Sequence, residues 1–579
     1  MSGLPDALPA VSPPLQCSIY ADDICIWASE KNQHSLRKSI QAGINAAADF
    51  VQDLRLTMSP EKFKLMLIGR GASWKHSRPV SLNGSPLEVV RSHTFLGITL
   101  DSRLSWAPFI RECKKRSLTS SNLVRHLSSF SSGCPPRTLA AIHNATTVAK
   151  LLYALPFASP SKSSFEHLEQ LNRKGLRQAL GLPPSSSSEA LYAETASLPL
   201  RLRVTQLLLN QLVRLNLTSA GRALVLKLEQ RPSSRLHCTL RTLQGLNSSL
   251  PKLPSLHPPW AIRDINISTR IPGLSSKRRT PDIVAKSLAT ERIISCHKEA
   301  TQVYTDASLD PDSGISAIAF HIPCRNLSEA RPIIGAHSST EAELLAIYIA
   351  LQAIEDSDIR RAVILSDSRG ALSRISNRYD RCIIADRVHR KLQSLLLSNK
   401  RICLQWIPSH RGIPGNEEAD RLSKEATKLT PEHKAPATIS QIKKSIYLHL
   451  WNFHPEKHTA EGTAPPLCIT SGLSRREASL LLRIRSSCGR TKAHLYQQGN
   501  APDPFCPTCR VPETIPHLID RCHATSAARA QLHQRLQAAG IRDRSPVNIL
   551  YPTGPVRSRK ILQSELLKFL RLTQLDQRL

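Results

Sequence analysis

Apolar and polar positions alternate in short runs through residues 1–104, broken by one stretch with helical spacing, so strands and a helix are expected there. From 105 to 235 the period becomes helical. Phe165, Leu168, Leu171, Leu176 and Leu180 form one apolar stripe, beside the basic Arg173, Lys174 and Arg177. Residues 236–297 lose both periods, are rich in Pro and Ser, and read as a linker. Residues 298–428 return to strands and helices in α/β order. Strands are expected at 303–308, 314–322, 332–335, 361–367 and 401–407, with a helix opening at Ser338-Ser339-Thr340 and another after 410. The run RAVILSD at 361–367 is apolar throughout until its final acid, as a central strand buried on both faces requires. Residues 429–579 read as helical around a single Cys/His cluster, and no long-period repeat is visible. The expected fold class is therefore multidomain α/β.

Charge narrows the partners. The chain carries 78 Lys and Arg against 45 Asp and Glu, a net charge of +33, which favours nucleic acid through counterion release from phosphates. No apolar run approaches the roughly 18 residues of a membrane span, and the first residues lack the basic start and apolar core of a signal peptide. The 14 cysteines are mostly scattered singly, which argues for a reducing compartment, so an intracellular location, nuclear or cytoplasmic, is expected. The basic run Lys277-Arg278-Arg279 reads as a solvated loop, with nuclear import as its alternative role.

Four acids stand out in the α/β stretch. Asp306 lies mid-strand, Asp367 ends the buried run, an acid of the helix after 338 follows the third strand, and Asp420 lies on the helix after 410. Acids gathered at the ends of buried strands repel unless a cation neutralises them. Hard oxygen ligands around two Mg²⁺ ions ~4 Å apart would do so, at a phosphodiester-cleaving site. Glu341 and Glu343 compete for the helical place. Glu343 shares a face with Ile347, Ala350 and Ile354, whereas Glu341 shares one with Leu345, Tyr348 and Gln352. Capping boxes, Ser338-x-x-Glu341 and Thr340-x-x-Glu343, offer either acid a purely structural task.

TDAS at 305–308, AELLAI at 342–347, SDS at 366–368 and HRGIPGNEEAD at 410–420 together resemble type 1 ribonuclease H, over about 130 residues and in that family's order. The resemblance implies a mixed five-stranded sheet with the Asp306 and Asp367 strands side by side. It implies Asp306, Glu343, Asp367 and Asp420 as ligands of two Mg²⁺ or Mn²⁺ ions, and His410 as a loop histidine aiding proton transfer or product release. Asn416 and Glu417 match the motif that orients this loop, and Ala307 departs from the Gly common at its place. The implied activity is hydrolysis of the RNA strand of an RNA–DNA hybrid, read through 2′-hydroxyls and backbone. Arg374, Arg378, Arg381, Arg387, Arg390 and Lys391, between the fourth and fifth expected strands, are phosphate-contact candidates or simply a solvated basic face.

Two flanking motifs widen the picture. Tyr20-Ala21-Asp22-Asp23 sits between apolar runs as a hairpin with carboxylates at its turn. With SPEKFKLMLIG at 59–69 and HTFLGITLD at 93–101 it resembles the last palm motifs of a non-LTR retrotransposon reverse transcriptase. Lys62 then matches the lysine after the metal hairpin, and Phe95-Leu96-Gly97 the primer-grip turn. That family places another metal-binding Asp well upstream, whereas 19 residues precede Tyr20. Met1 is therefore expected to be internal to a longer frame, and the chain alone is not expected to polymerise DNA. Residues 105–235 would be its helical thumb, able to hold RNA or DNA. Cys506-x2-Cys509-x7-His517-x4-Cys522 has ligand types and spacing for one structural Zn²⁺. It resembles the C-terminal zinc knuckle of the same polyproteins. The competing expectations are a nucleic-acid-binding remnant without catalysis, and a reverse transcriptase completed by a separate upstream fragment.

Overall fold

A computed structural model describes all residues except 1–2, 70–78, 130–132, 159, 232–255, 263–264, 275–279, 311–312, 336–337, 381, 432, 455–471 and 553. The basic run at 277–279 and Arg381 therefore lie outside the described residues. The chain divides into two compact units. One comprises residues 206–450, the other 1–205 together with 451–579. The expected division into 105–235 and 429–579 cuts across this partition.

In the unit 206–450 the elements are β1 (Asn266–Ser268), α1 (Asp282–His297), β2 (Thr301–Leu309), β3 (Ser316–Ile322), β4 (Leu327–Ile334), α2 (Ser339–Glu355), β5 (Arg361–Ser366), α3 (Arg369–Ser376), α4 (Ile383–Leu397), β6 (Arg401–Trp406), α5 (Pro414–Ala426) and β7 (His433–Lys434). They build a mixed sheet of seven strands in the order β7-β4-β3-β2-β5-β6-β1. Strands β2, β3 and β4 pair antiparallel, while β5 pairs parallel with β2 and β6. The five strands between 298 and 428 are the five expected. The sheet nevertheless has seven, because flanking segments add parallel edge strands: β1 on β6 and β7 on β4. Segments of two and three residues carry no readable period, so neither edge was legible in the pattern.

Much of the segment read as a linker is thus built into the sheet unit. Gln405 of β6 is fully buried, and its Nε2 donates to the carbonyls of Ser268 and Arg270, at 3.5 and 3.3 Å, while Arg292 of α1 donates to its Oε1 at 3.2 Å. Ile271, Ala289 and Ile293 enter the same apolar core as Val303, Ile364 and Leu404. Helix α2 covers the sheet with Ala342, Ile347, Ala350 and Ile354. Helix α5 approaches β2 so closely that a Cβ on Gly415 would stand 2.2 Å from the Tyr304 ring, so only glycine fits this crossing.

In the other unit, Gln16–Tyr20 and Asp23–Trp27 form a hairpin with Tyr20 opposite Asp23. Helix Gln33–Asp53, capped by the Asn32 side chain, buries Ile40 and Ile44 against Val80, Leu82 and Leu87. A second hairpin pairs Ser92–Phe95 with Ile98–Asp101; its turn residues Leu96 and Gly97 take φ of +48° and +75°. Helices follow at Ala107–Leu127, Pro136–His143, Lys162–Leu180 and Ser188–Thr195, and the expected stripe buries Phe165, Leu168, Leu176 and Leu180. The C-terminal segment packs on these helices. Leu482 joins Leu176, Leu180, Leu191 and Tyr192, and Arg475 donates to the carbonyls of Ala179 and Gln178 at 2.5 and 3.0 Å. Arg485, buried, pairs with the buried Glu194 at 2.8 Å. A charge pair so enclosed holds the two segments in one register, because separating it would strand a charge in the core. Among the described residues no helix is long and apolar enough to cross a membrane.

Candidate active site and metal centres

The parallel register sets Thr305 of β2 opposite Ser366 of β5, so Asp306 and Asp367 emerge side by side from neighbouring strands. Glu343 reaches them from α2. Each of these three residues offers one oxygen, and the three oxygens lie within 4.8 Å of one another. Asp306 and Glu343 are buried, each 5% exposed. The Asp367 carbonyl accepts from Trp406 Nε1 at 3.0 Å, and the Arg369 guanidinium lies 4.0 Å from the Trp406 ring centroid, which fixes the strand end. Glu341 and Glu343 are equally buried, and it is Glu343 that joins the trio. Ser338 is the N-cap and accepts from the Glu341 amide at 3.2 Å, so Glu341 lies in the first turn while Glu343 faces the sheet.

Asp420 approaches from α5. Its Oδ2 accepts from Lys424 at 2.6 Å, and its charge acts on Asp306, but it groups first with His410 and Glu417, again within 4.8 Å. The four expected carboxylates therefore fall into a largely buried trio, its Asp367 half-buried, and an adjoining His410–Glu417–Asp420 group that share one electrostatic neighbourhood. Ser423, one turn beyond Asp420, donates to Asp306 Oδ2 at 2.6 Å. It belongs to no motif. Its only signal in the sequence is the i, i+3 spacing that puts it on the Asp420 face of the helix.

The electrostatics are those of a cation site. Burial, with the Asp367 and Asp420 charges adding to it against the Ser423 hydroxyl, pushes the Asp306 carboxyl up to about 6. Burial, then Asp306 and Asp367, raises Glu343 well above the ordinary carboxylate range. Glu343 Oε2 is buried without a hydrogen-bond partner. Hard oxygens, mutual repulsion and an orphaned carboxylate oxygen fit divalent Mg²⁺ or Mn²⁺. A testable consequence follows for pH. Asp306 holds its proton to about pH 6 when folded but to about 4 when unfolded, so it favours folding below pH 4 and that contribution fades as pH rises through 6. The effect is on the order of 3 kcal/mol. Without metal, the protection of amides at 301–309 and 361–366, taken relative to their intrinsic exchange rates at each pH, should fall from pH 5 to pH 8. Added Mg²⁺ should reduce that fall, whereas metal-free protection that does not change with pH would show that the trio is not strained.

His410 sits exposed on the loop after β6, with φ of +52°. The Gly412 amide donates to Glu417 Oε1 at 3.1 Å, and Asn416 is buried beneath. The basic candidates are less free than their sequence suggested. Arg374 pairs with Asp380, Arg390 with Asp386 and Lys391 with Glu355, while Arg378 and Arg387 are half-buried.

In the other unit, Cys506, Cys509, His517 and Cys522 come together as expected. Cys506 Sγ and Cys509 Sγ lie 3.8 and 3.9 Å from Cys522 Sγ. Asp22 and Asp23 are exposed at their hairpin, Lys62 is exposed in a single 3-10 turn, and neither aspartate joins a cluster of three metal-capable side chains among the described residues.

A mixed sheet with helices on it, and a carboxylate trio from two adjoining strand segments and a helix, with Asp306 and Glu343 buried and Asp367 half-buried, are consistent with an RNase H-like domain. Residues 298–428 match the family model of RNase H. At the level of that family, the match supports binding of RNA–DNA hybrids and hydrolysis of their RNA strand.

Proposed function

We propose that this chain cuts the RNA strand of RNA–DNA hybrids at a divalent-metal site made by Asp306, Glu343, Asp367 and Asp420, with His410 at its edge. The observation that carries the reading is the trio of Asp306, Glu343 and Asp367, three acids from three elements, two of them buried, with oxygens within 4.8 Å of one another. Such a grouping is costly as a structural device and useful as a ligand set. Bound Mg²⁺ or Mn²⁺ would supply the positive charge that polarises the scissile phosphate and lowers the pKa of water. The protein's own groups do the rest. Ser423 holds Asp306 in place, Lys424 holds Asp420, and exposed His410 is placed to relay a proton or help product leave. Water adds to phosphorus in line as the bond to the 3′-oxygen breaks, leaving a 3′-hydroxyl and a 5′-phosphate.

The wider reading is a portion of a retrotransposon polymerase whose nuclease clears template RNA. It is supported by the Asp22–Asp23 hairpin and by the Cys/His cluster, which would hold one structural Zn²⁺. Incubation of the full chain with end-labelled RNA tests the nuclease. Mg²⁺ should give cleavage of that RNA when paired with DNA, and neither the single strand nor an RNA duplex should be cut. Hybrid that is bound but stays intact in both Mg²⁺ and Mn²⁺ would leave a binding protein in its place.

A further inference from the structure

The segment before residue 298 reaches the proposed active site. Helix α1 runs from Asp282 to His297 and is fastened at both ends to elements that carry site residues. Near its C-terminal end, Arg292 donates to Gln405, the residue before Trp406, whose indole holds the Asp367 carbonyl. At its N-terminal end, Asp282 forms an ion pair with Arg411, the residue after His410. One turn along, Lys286 faces the same loop, and a Cβ on Gly412 would lie 3.5 Å from its Nζ. Between these attachments Ala285, Ala289 and Ile293 are buried, which makes the helix a rigid strut rather than a loose arm.

His410 needs such support. It is a non-glycine residue in the left-handed region, on a loop where the Gly412 amide donates to Glu417. Arg411 is only 15% exposed, so its guanidinium is largely enclosed at the contact, whereas Asp282 is 73% exposed. We propose that Asp282 and α1 are positioning elements of the nuclease: through Arg411 they hold the loop that presents His410. The inference rests on the nuclease reading above, and it assigns a role in catalysis to sequence outside the matched span of 298–428.

Asp282 also occupies the first turn of α1, where any acid favours the helix dipole, so loss of a charge alone is ambiguous. A charge swap separates the two roles. In the full chain, Asp282→Arg and Arg411→Asp should each lower kcat on hybrid by about 5-fold, the loss of an ion pair worth up to about 1 kcal/mol, with KM changed less than about 2-fold. The double variant should recover most of kcat, although the helix still lacks its N-terminal acid. Hydrogen exchange at 408–413 should quicken in each single variant and slow again in the double. That readout stands whether or not the chain cleaves hybrid. Unchanged exchange in the single variants, or a double variant no better than either parent, overturns the assignment. Absence of cleavage by the parent chain, with the exchange pattern as expected, overturns the nuclease reading instead.

Discussion

Replacing Asp306 by Asn should remove hybrid cleavage by about three orders of magnitude or more, while hybrid binding changes by less than about threefold. Asp306 is raised by the charges of Asp367 and Asp420, and its own charge in turn raises Glu343. Asn has the same shape and can still accept from the Ser423 hydroxyl, which lies 2.6 Å from Asp306 Oδ2. What it lacks is the charge that would help hold a divalent cation. The same substitution should make the metal-free chain more stable at pH 7.5, by up to about 2 kcal/mol, because an amide is buried where a carboxyl pushed to about 6 had to ionise. A variant inactive through misfolding would shift the other way and lose stability. Cleavage and hydrogen exchange at 301–309 should be measured on the same preparation. Activity above a tenth of the parent's, or a less stable metal-free variant, would remove Asp306 from the ligand set.

How much of this could be read from the chain alone depends on where each element draws its stability. The RAVILS run shows its two-sided burial in its composition, so β5 was legible, and the acid that follows it marked one site residue. The apolar face of Ile347, Ala350 and Ile354, all fully buried, showed which side of the helix packs on the sheet, while the choice of Glu343 over Glu341 came from the resemblance to type 1 ribonuclease H. The edge strands Asn266–Ser268 and His433–Lys434 were not, since their pairing depends on a neighbour already in place. Helix Asp282–His297 buries mainly two alanines and an isoleucine, so its apolar stripe is too thin to lift it out of a Pro- and Ser-rich background. Ser423 illustrates the same limit at the site. Its role exists only because α5 crosses β2 at Gly415, and that crossing is tertiary information. Composition also leaves out ion pairing at single residues: Arg374, Arg390 and Lys391 each pair with an acid that the basic pattern alone does not show.

The second large effect is expected at the Cys/His cluster: removing its metal, or changing Cys506 to Ser, should destabilise the unit that contains it by several kcal/mol. The cluster is not an appendage. Cys506 and Cys522, each 2% exposed, belong to the same apolar core as Leu480, Ile484, Leu536 and Phe569. Although burial opposes it, the amides of Cys509 and Thr508 and the His517 side chain bring the Cys506 thiol down to about 7, so a thiolate is accessible near neutral pH. Cys522 Sγ lies within 4 Å of both other sulfurs, and His517 Nε2 is buried without a hydrogen-bond partner, a donor set that one shared soft cation would neutralise. The turn that sets the spacing has Arg510 at φ +57°, and the Cys506 amide donates to the Val511 carbonyl at 2.8 Å. Next to it, buried Glu513 accepts from the Lys492 amide at 2.8 Å and pairs with Arg578 at 3.2 Å, so disorder at the cluster should spread to the C-terminal helices. The purified chain should carry one Zn²⁺, lost in Cys506→Ser and retained in Cys488→Ser, which alters a buried cysteine outside the cluster. Chelation should lower the melting temperature of the parent and of Cys488→Ser but leave Cys506→Ser where it already lies. A parent chain that melts identically with and without its metal would mean that the four side chains meet for packing alone.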